Sequence, residues 1–509
     1  MRNNFNQKFQ YNLDMKNIKY FGLVLMIAVF AISCTKTSDL NPVPTTLIAD
    51  ASAFETPARI SNQINGLYAT FKGTGLWGSN YILYSEARAG EFISTNQNPL
   101  QGGLTYMMLT DAGTSDVNIV WQQAYQTINA CNVFLEGMDA LGKKAAGDSL
   151  YNNYTAEARV LRAVTYFSLL QLYAKPYINN AGKNPGLPLR LKGNTGLADY
   201  NLARSTVAEV YQQIIKDLDY AETNLPLKYA TAVLNTTRAH KNSAIAFKTR
   251  VYLTMGDYAN VITEANKLVS TAAPFVTTNA TRTSHSLPAD ITTVFKSPYT
   301  STESMFSIAF GAGDAPGNSL ATNFLPNSAD GTGLGSAGTG QFYVFAQGIV
   351  NDANWKTTDK RRSFIFTTPS GTNKGRFWCT KFVVGTPYTD YIPVIRYSEV
   401  VLNLAEALAN VNGLDTRSTA LLNAVRGRSD ATTIFKPTDK ADLINKIITE
   451  RRIEFFGEGI RNGDIMRLGL PIPAKTPIGA TPVPASNPTD GNYIWPIPNN
   501  EALYNKLIG

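Results

Sequence analysis

The 509-residue chain is 44% hydrophobic and 17% charged, a globular balance that excludes both global disorder and a polytopic membrane protein. Three cysteines cannot build a disulfide framework, and the two histidines, His240 and His285, leave little material for zinc catalysis or a Ser-His-Asp triad. Residues 1–33 carry Arg2, Lys8, Lys16 and Lys19 against Asp14, so the formal charge of +8 falls to +5 without them; no Lys/Arg block gives the basic stripe that nucleic acid requires.

The first 33 residues read as an address. The apolar stretch 20–32 is too short for a membrane-spanning helix, which needs about 20 residues, and it follows the positive flank of Lys16 and Lys19 as in a secretory signal. Met1 and Met15 are both candidate starts. Ala31 and Ser33 precede Cys34, and a polar segment follows, a pattern that resembles the lipobox of bacterial lipoproteins with Ala31 in place of the usual Leu. Cys34 is therefore the expected acylation site, palmitate being one such chain. Residues 34–55, rich in Thr, Pro, Ser and Asp, are the expected tether.

Amphipathic helices are expected next. Ile60, Ile64, Leu67, Tyr68 and Phe71 share one face, and Trp121, Ala124, Ile128, Cys131 and Leu135 share another. Cys131 and Cys379 read as small core residues. Residues 157–173 are apolar almost all round, which predicts a central helix. Thr206 and Glu209 form a capping box ahead of Val207, Val210, Ile214 and Leu218. Residues 241–268 resemble a degenerate tetratricopeptide unit, with Tyr252, the Gly256-Asp257 turn and Ala265 in place but Lys248-Thr249 where Leu-Gly is usual. Helices over 396–410 and 419–428 form a second pair. Between these units helical periodicity fades, glycine and polar residues dominate 311–340, and short strand-like runs occur at 305–310, 342–350 and 377–384. Another Pro-rich excursion covers 471–493.

Two motifs invite a catalytic reading. Gly333, Gly335 and Gly338 fit the dinucleotide pattern GxGxxG, yet no strand precedes them and no helix opens at their end, so a flexible loop is the expectation. Glu450, Glu454 and Glu458 step along one helical face and could supply the carboxylate pair of an exported glycoside hydrolase. Arg451 and Arg461 lie within helical reach of them, which favours an ion-paired structural helix.

The run Glu450-Arg451-Arg452-Ile453-Glu454-Phe455-Phe456-Gly457-Glu458-Gly459-Ile460-Arg461-Asn462-Gly463-Asp464-Ile465-Met466-Arg467 resembles the C-terminal signature of SusD/RagB outer-membrane lipoproteins. Segments 121–132, 157–176, 206–226, 246–265, 396–407 and Trp495-Pro496-Ile497-Pro498 match the same family in order. The resemblance implies a mostly α, tetratricopeptide-like scaffold with a loop-rich part containing short strands. It also implies a non-catalytic, surface-exposed lipoprotein of the outer membrane that binds an oligosaccharide, or in some members a peptide, for a SusC-like TonB-dependent transporter. The expected layout is a signal peptide at 1–33, the lipidated tether at 34–55, a helical part at 56–270, a loop-rich ligand-facing segment at 271–395 and a helical C-terminal part at 396–509. No cofactor, metal or nucleic acid is expected.

Sugar rings stack their C–H faces on exposed aromatics. The candidate ligand contacts are Trp77, Tyr81, Tyr106, Phe342, Tyr343 and Trp355, with Asn80, Asn96 and Asn98 as hydrogen-bonding partners; simple packing is the alternative for each ring. A third reading, besides binder and hydrolase, is an envelope scaffold that binds only proteins.

Overall fold

Residues 50–509 are described by a computed structural model, apart from 197–198, 278, 280, 331–333, 335–337 and 478–480. The signal segment, Cys34 and the tether up to residue 49 lie outside the described residues, as do Gly333 and Gly335 of the glycine motif. Phe54–Gly509 is one compact unit, and it is mostly helical, as expected.

The helices that position the rest are α1 (Pro57–Phe71), α2 (Asn80–Ala89), α3 (Ser115–Gly137), α4 (Lys143–Tyr173), α5 (Val207–Asn224), α6 (Ala232–Thr237), α7 (Lys241–Met255) and α8 (Tyr258–Ala265). The C-terminal part adds α9 (Tyr397–Asn412), α10 (Thr416–Ser429), α11 (Lys440–Glu454), α12 (Arg461–Arg467) and α13 (Asn499–Tyr504). Successive helices pack as neighbours, α3 on α4, α4 on α5, α5 on α7, α7 on α8, α8 on α9 and α9 on α10. Such an array buries a continuous core that no single pair could close.

Local chemistry explains the elements. Thr56 caps α1 by accepting from the Arg59 amide, and Pro57 sits at the first helical position, where its missing N–H costs nothing. Ile60, Ile64, Leu67 and Phe71 are then buried. The Thr206–Glu209 capping box is present in both directions. From residue 155 to 173 only Arg159 escapes full burial, the central position expected of this helix. In the α7–α8 pair Gly256 takes a φ of 74°, which a residue with a Cβ rarely adopts, and Asp257 caps the second helix. Lys248 is buried where the repeat pattern has Leu, and its ammonium meets Asp219, Glu222 and Glu264 at 2.7–2.8 Å. Three carboxylates thus offset the desolvation of one charge.

Strands are shorter than the sequence suggested. An antiparallel sheet runs in the order β1 (Phe92–Ser94), β3 (Phe342–Val344), β5 (Phe377–Cys379), β4 (Ile365–Thr367), and a separate ribbon pairs β2 (Ser304–Ile308) with β6 (Ile392–Arg396). The run 342–350 stays extended only to Val344, because a turn at Gly348 leads into a tight helical turn at Ile349–Asn351. The run 377–384 ends as a strand at Cys379, and the Val384 amide bonds to Asp390.

One expected local pairing is wrong. Helix α11 ends at Glu454, and Gly457 and Gly459 both take a φ of 77°, so Glu458 is not on the helical face of Glu450 and Glu454. Arg451 points away from them, bonding Asp464 and Asn403, and Arg461 makes no salt bridge among the described residues. The glutamates instead find distant cations. Glu450 meets Arg361 and Arg426, Glu454 meets Arg361, Arg396 and Arg428, and Glu458 meets Arg396 and Lys381. Ion pairing as their role stands, with different partners.

A neighbouring carboxyl is handled differently. Glu86 on α2 is buried, with one oxygen accepting from the Gly459 amide at 2.6 Å and the other unpartnered. Burial pushes its pKa up to about 8, against the Gly459 bond and Lys381, with Glu91 and Glu458 adding repulsion. The folded pKa lies above the ordinary 4.5, so its contribution to stability is complete at low pH and is lost as pH rises from about 4.5 through 8. Glu86→Gln is therefore expected to match the wild type in urea unfolding at about pH 5 and to exceed it at about pH 9. Equal pH slopes in the two proteins would contradict this assignment.

Candidate functional site

The six aromatic candidates are all buried. Trp77, Tyr106 and Phe342 are at most 1% exposed, and Tyr81, Tyr343 and Trp355 at most 8%. Trp77 and Tyr81 are brought together, ring centroids 5.0 Å apart, and border a small internal cavity of about 30 Å³. Tyr106 lies 6.5 Å from Phe342, whereas Tyr343 packs against Trp378 under the Arg376 guanidinium. Trp355 is held between Phe456 and Arg362. In this conformation none offers the open face that sugar stacking requires, because tertiary packing closes over the loops that carry them. Asn80 accepts from Asn318, while Asn96 and Asn98 accept backbone amides within their own loop.

An accessible site lies elsewhere, in a groove of roughly 560 Å³ formed by α1, α6 and the segment that leaves β2. Asn65, Tyr68 and Ala69 enter it from α1, and Lys72 from its C-cap, because positions three and four residues apart share a helical face. Leu234, Thr237 and Arg238 form the opposite wall, and Ile308, Ala309 and Asp314 close one end. A wider depression of roughly 670 Å³ is lined by residues 189–196 and 199–202 alone.

The groove's charges are fixed by bonds to one another. Arg238 bonds Glu157 of α4 through Nε at 2.6 Å and Nη2 at 2.9 Å, and its Nη1 donates to Asn65 Oδ1 at 2.9 Å. Its guanidinium also lies 5.0 Å over the Tyr68 ring. Tyr68 donates to Glu157 at 2.6 Å and accepts from the Ala239 amide; burial, then Glu157, pushes its pKa up, so the phenol keeps its proton. Lys72 donates to the Ala309 carbonyl at 2.9 Å and pairs with Asp314. Burial works to raise the Asp314 carboxyl, but Lys72 and the Gly311 amide overcome it and hold it below the usual range. The loop is pinned further by the Gly317 amide donating to Thr74.

This lining suits hydrogen bonding and van der Waals contact. Asp314 and Glu157 are each tied to a cation, and Glu450, Glu454 and Glu458 are buried in ion pairs, so none of these carboxyls is placed as the acid of a hydrolytic pair. His240 and His285 pack 5.6 Å apart, and burial pushes their pKa values down to about 3 and about 4, leaving both neutral. Among the described residues no group of three or more His, Cys, Asp or Glu could hold a metal ion.

Comparison with known proteins follows the chain almost end to end. The family model described as "Starch-binding associating with outer membrane" matches residues 41–253, and that of the SusD family matches 367–508. A SusD superfamily protein of Bacteroides fragilis superposes with a TM-score of 0.76 at 31% identity, covering 90% of this chain and 99% of that one. SusD-like protein P2 of Formosa agariphila is 26% identical, covering 97% of this chain and 99% of its own. A SusD-like carbohydrate binding protein of Bacteroides vulgatus shares the fold with a TM-score of 0.71 at 19% identity, covering 89% and 98%.

Proposed function

The chain belongs to the SusD/RagB family, and from that premise we propose that it is a cell-surface lipoprotein that captures an oligosaccharide and hands it to a SusC-like TonB-dependent transporter of the outer membrane. The observation that carries the reading is the family match itself, whose first model is described by starch binding and outer-membrane association. The groove between α1 and α6 agrees with it, offering open volume, hydrogen-bonding groups and no free carboxyl pair. Cys34, after a signal-like segment, supplies the anchor. Each buried methylene of its acyl chains adds about 0.8 kcal/mol, so several chains hold the protein stably at a membrane.

The test combines capture, turnover and anchoring. Purified protein titrated with an oligosaccharide and peptide panel is expected to bind glycan and release no product. Cells fed labelled palmitate are expected to label the wild type and not Cys34→Ala, and a large β-barrel is expected to co-purify from their outer membranes. Glycan cleavage, or a wild type that stays unlabelled and freely soluble, would sink the reading.

A further inference from the structure

Two features of the α1–α6 groove together specify a ligand class. The first is Gly66. It lies inside α1, where glycine is a poorer helix former than alanine, and a Cβ built on it meets nothing within 4 Å. No neighbour needs the missing side chain. Its effect is to leave the helix backbone bare on the groove, the arrangement used where a ligand must approach main chain closely.

The second is charge. Four ionic groups face or underlie the groove, Lys72, Arg238, Asp314 and Glu157, and they cancel in two pairs. Arg238 spends three of its five N–H donors within the groove wall, two on Glu157 and one on Asn65. The Glu157 carboxylate, fully buried, already neutralises Arg238, and Asp314 neutralises Lys72, so an anionic ligand meets no uncompensated positive charge in the groove. The same pairing leaves a cationic ligand no uncompensated negative charge. Neutral hydroxyls need no uncompensated charge, because the Asp314 and Asn65 oxygens that line the groove keep lone pairs to accept with, and Leu234 and Ala69 give apolar surface for C–H faces.

Resting on the glycan-capture reading, we propose that this groove is the binding site and that it selects uncharged sugar rings, one ring lying against the exposed backbone at Gly66. The test uses isothermal titration of the full mature chain. The neutral probes are maltoheptaose, laminarihexaose, cellohexaose and mannohexaose; the anionic ones are oligogalacturonate and chondroitin sulfate hexasaccharide. At least one neutral probe is expected to bind about tenfold tighter than either anionic one, with an affinity that does not fall as salt rises. Gly66→Phe and Leu234→Trp each fill the groove from one wall. Loss of about tenfold affinity in either, with an unchanged melting temperature, supports the site. Wild-type affinity in both variants would overturn the site and leave glycan capture standing. A preference for the anionic probes would overturn the neutral selection alone. A wild type that binds no probe would overturn both.

Discussion

Replacing Glu454 by Gln is expected to remove about 3–5 kcal/mol of stability, one of the two largest effects the molecule offers. Its carboxylate is fully buried and accepts from Arg361 at 2.9 Å, Arg396 at 3.0 Å and Arg428 at 2.6 Å. Among the described residues the surrounding network sets five cations (Arg361, Lys381, Arg396, Arg426, Arg428) against five acids (Asp359, Glu303, Glu450, Glu454, Glu458). The amide leaves one guanidinium uncompensated and turns an N–H₂ toward the others, away from water. Because Glu303 precedes β2, Arg396 ends β6 and Arg428 lies in the last turn of α10, this centre ties the loop-rich segment to the C-terminal helices.

The same carboxyl predicts a pH dependence. Burial works to raise its pKa, but Arg428, Arg396 and Arg361 outweigh burial and hold it well below the ordinary 4.5. Its contribution is therefore complete above about pH 4.5 and is lost as pH falls below that. Urea unfolding of wild type and variant should differ most near pH 7 and converge toward pH 3. A difference below about 1 kcal/mol at neutral pH would mean that the pairs are worth no more than surface ones.

How much of this was readable from the chain depends on the distance over which each feature is decided. Helix α1, residues 157–173 of α4 and helix α5 were legible because a 3.6-residue apolar period, an all-round apolar run and a capping box are each written within one segment. Strand β1 was not: three residues buried on both faces show no alternation, and its partner β3 lies some 250 positions away. The role of Glu450, Glu454 and Glu458 was legible, but their partners were not, since Gly457 and Gly459 end the helical geometry that local pairing assumed. The groove left only one trace in the sequence, a glycine in the middle of an otherwise regular amphipathic helix. Nothing local distinguishes an aromatic that will be covered by a distant loop from one that will stay open. Tyr68, read as part of an apolar stripe, is the ring that borders the groove.

Trp77→Ala separates packing from ligand contact at one of the aromatics that the sequence raised as a ligand contact. Trp77 sits in the tight turn Thr74–Gly78, which closes because Gly78 lets the chain pass over the Lys72 carbonyl, where a Cβ would come within 2.4 Å. The indole packs on Phe71 and Tyr81, with centroids at 6.1 and 5.0 Å, and donates to Ser168 of α4 at 3.1 Å. Truncation is expected to cost about 3–5 kcal/mol, toward the lower figure because the neighbouring cavity carries Arg250, Glu399 and Gln171 and can admit water to the enlarged space. Below its lowered melting temperature, the variant should bind any wild-type ligand with unchanged affinity, since the α1–α6 groove does not include the indole. Trp77→Phe should recover most of the stability. If Trp77→Ala kept wild-type stability but lost ligand affinity, the ring would have to leave its packed position on binding, and the cavity it borders would be the ligand site.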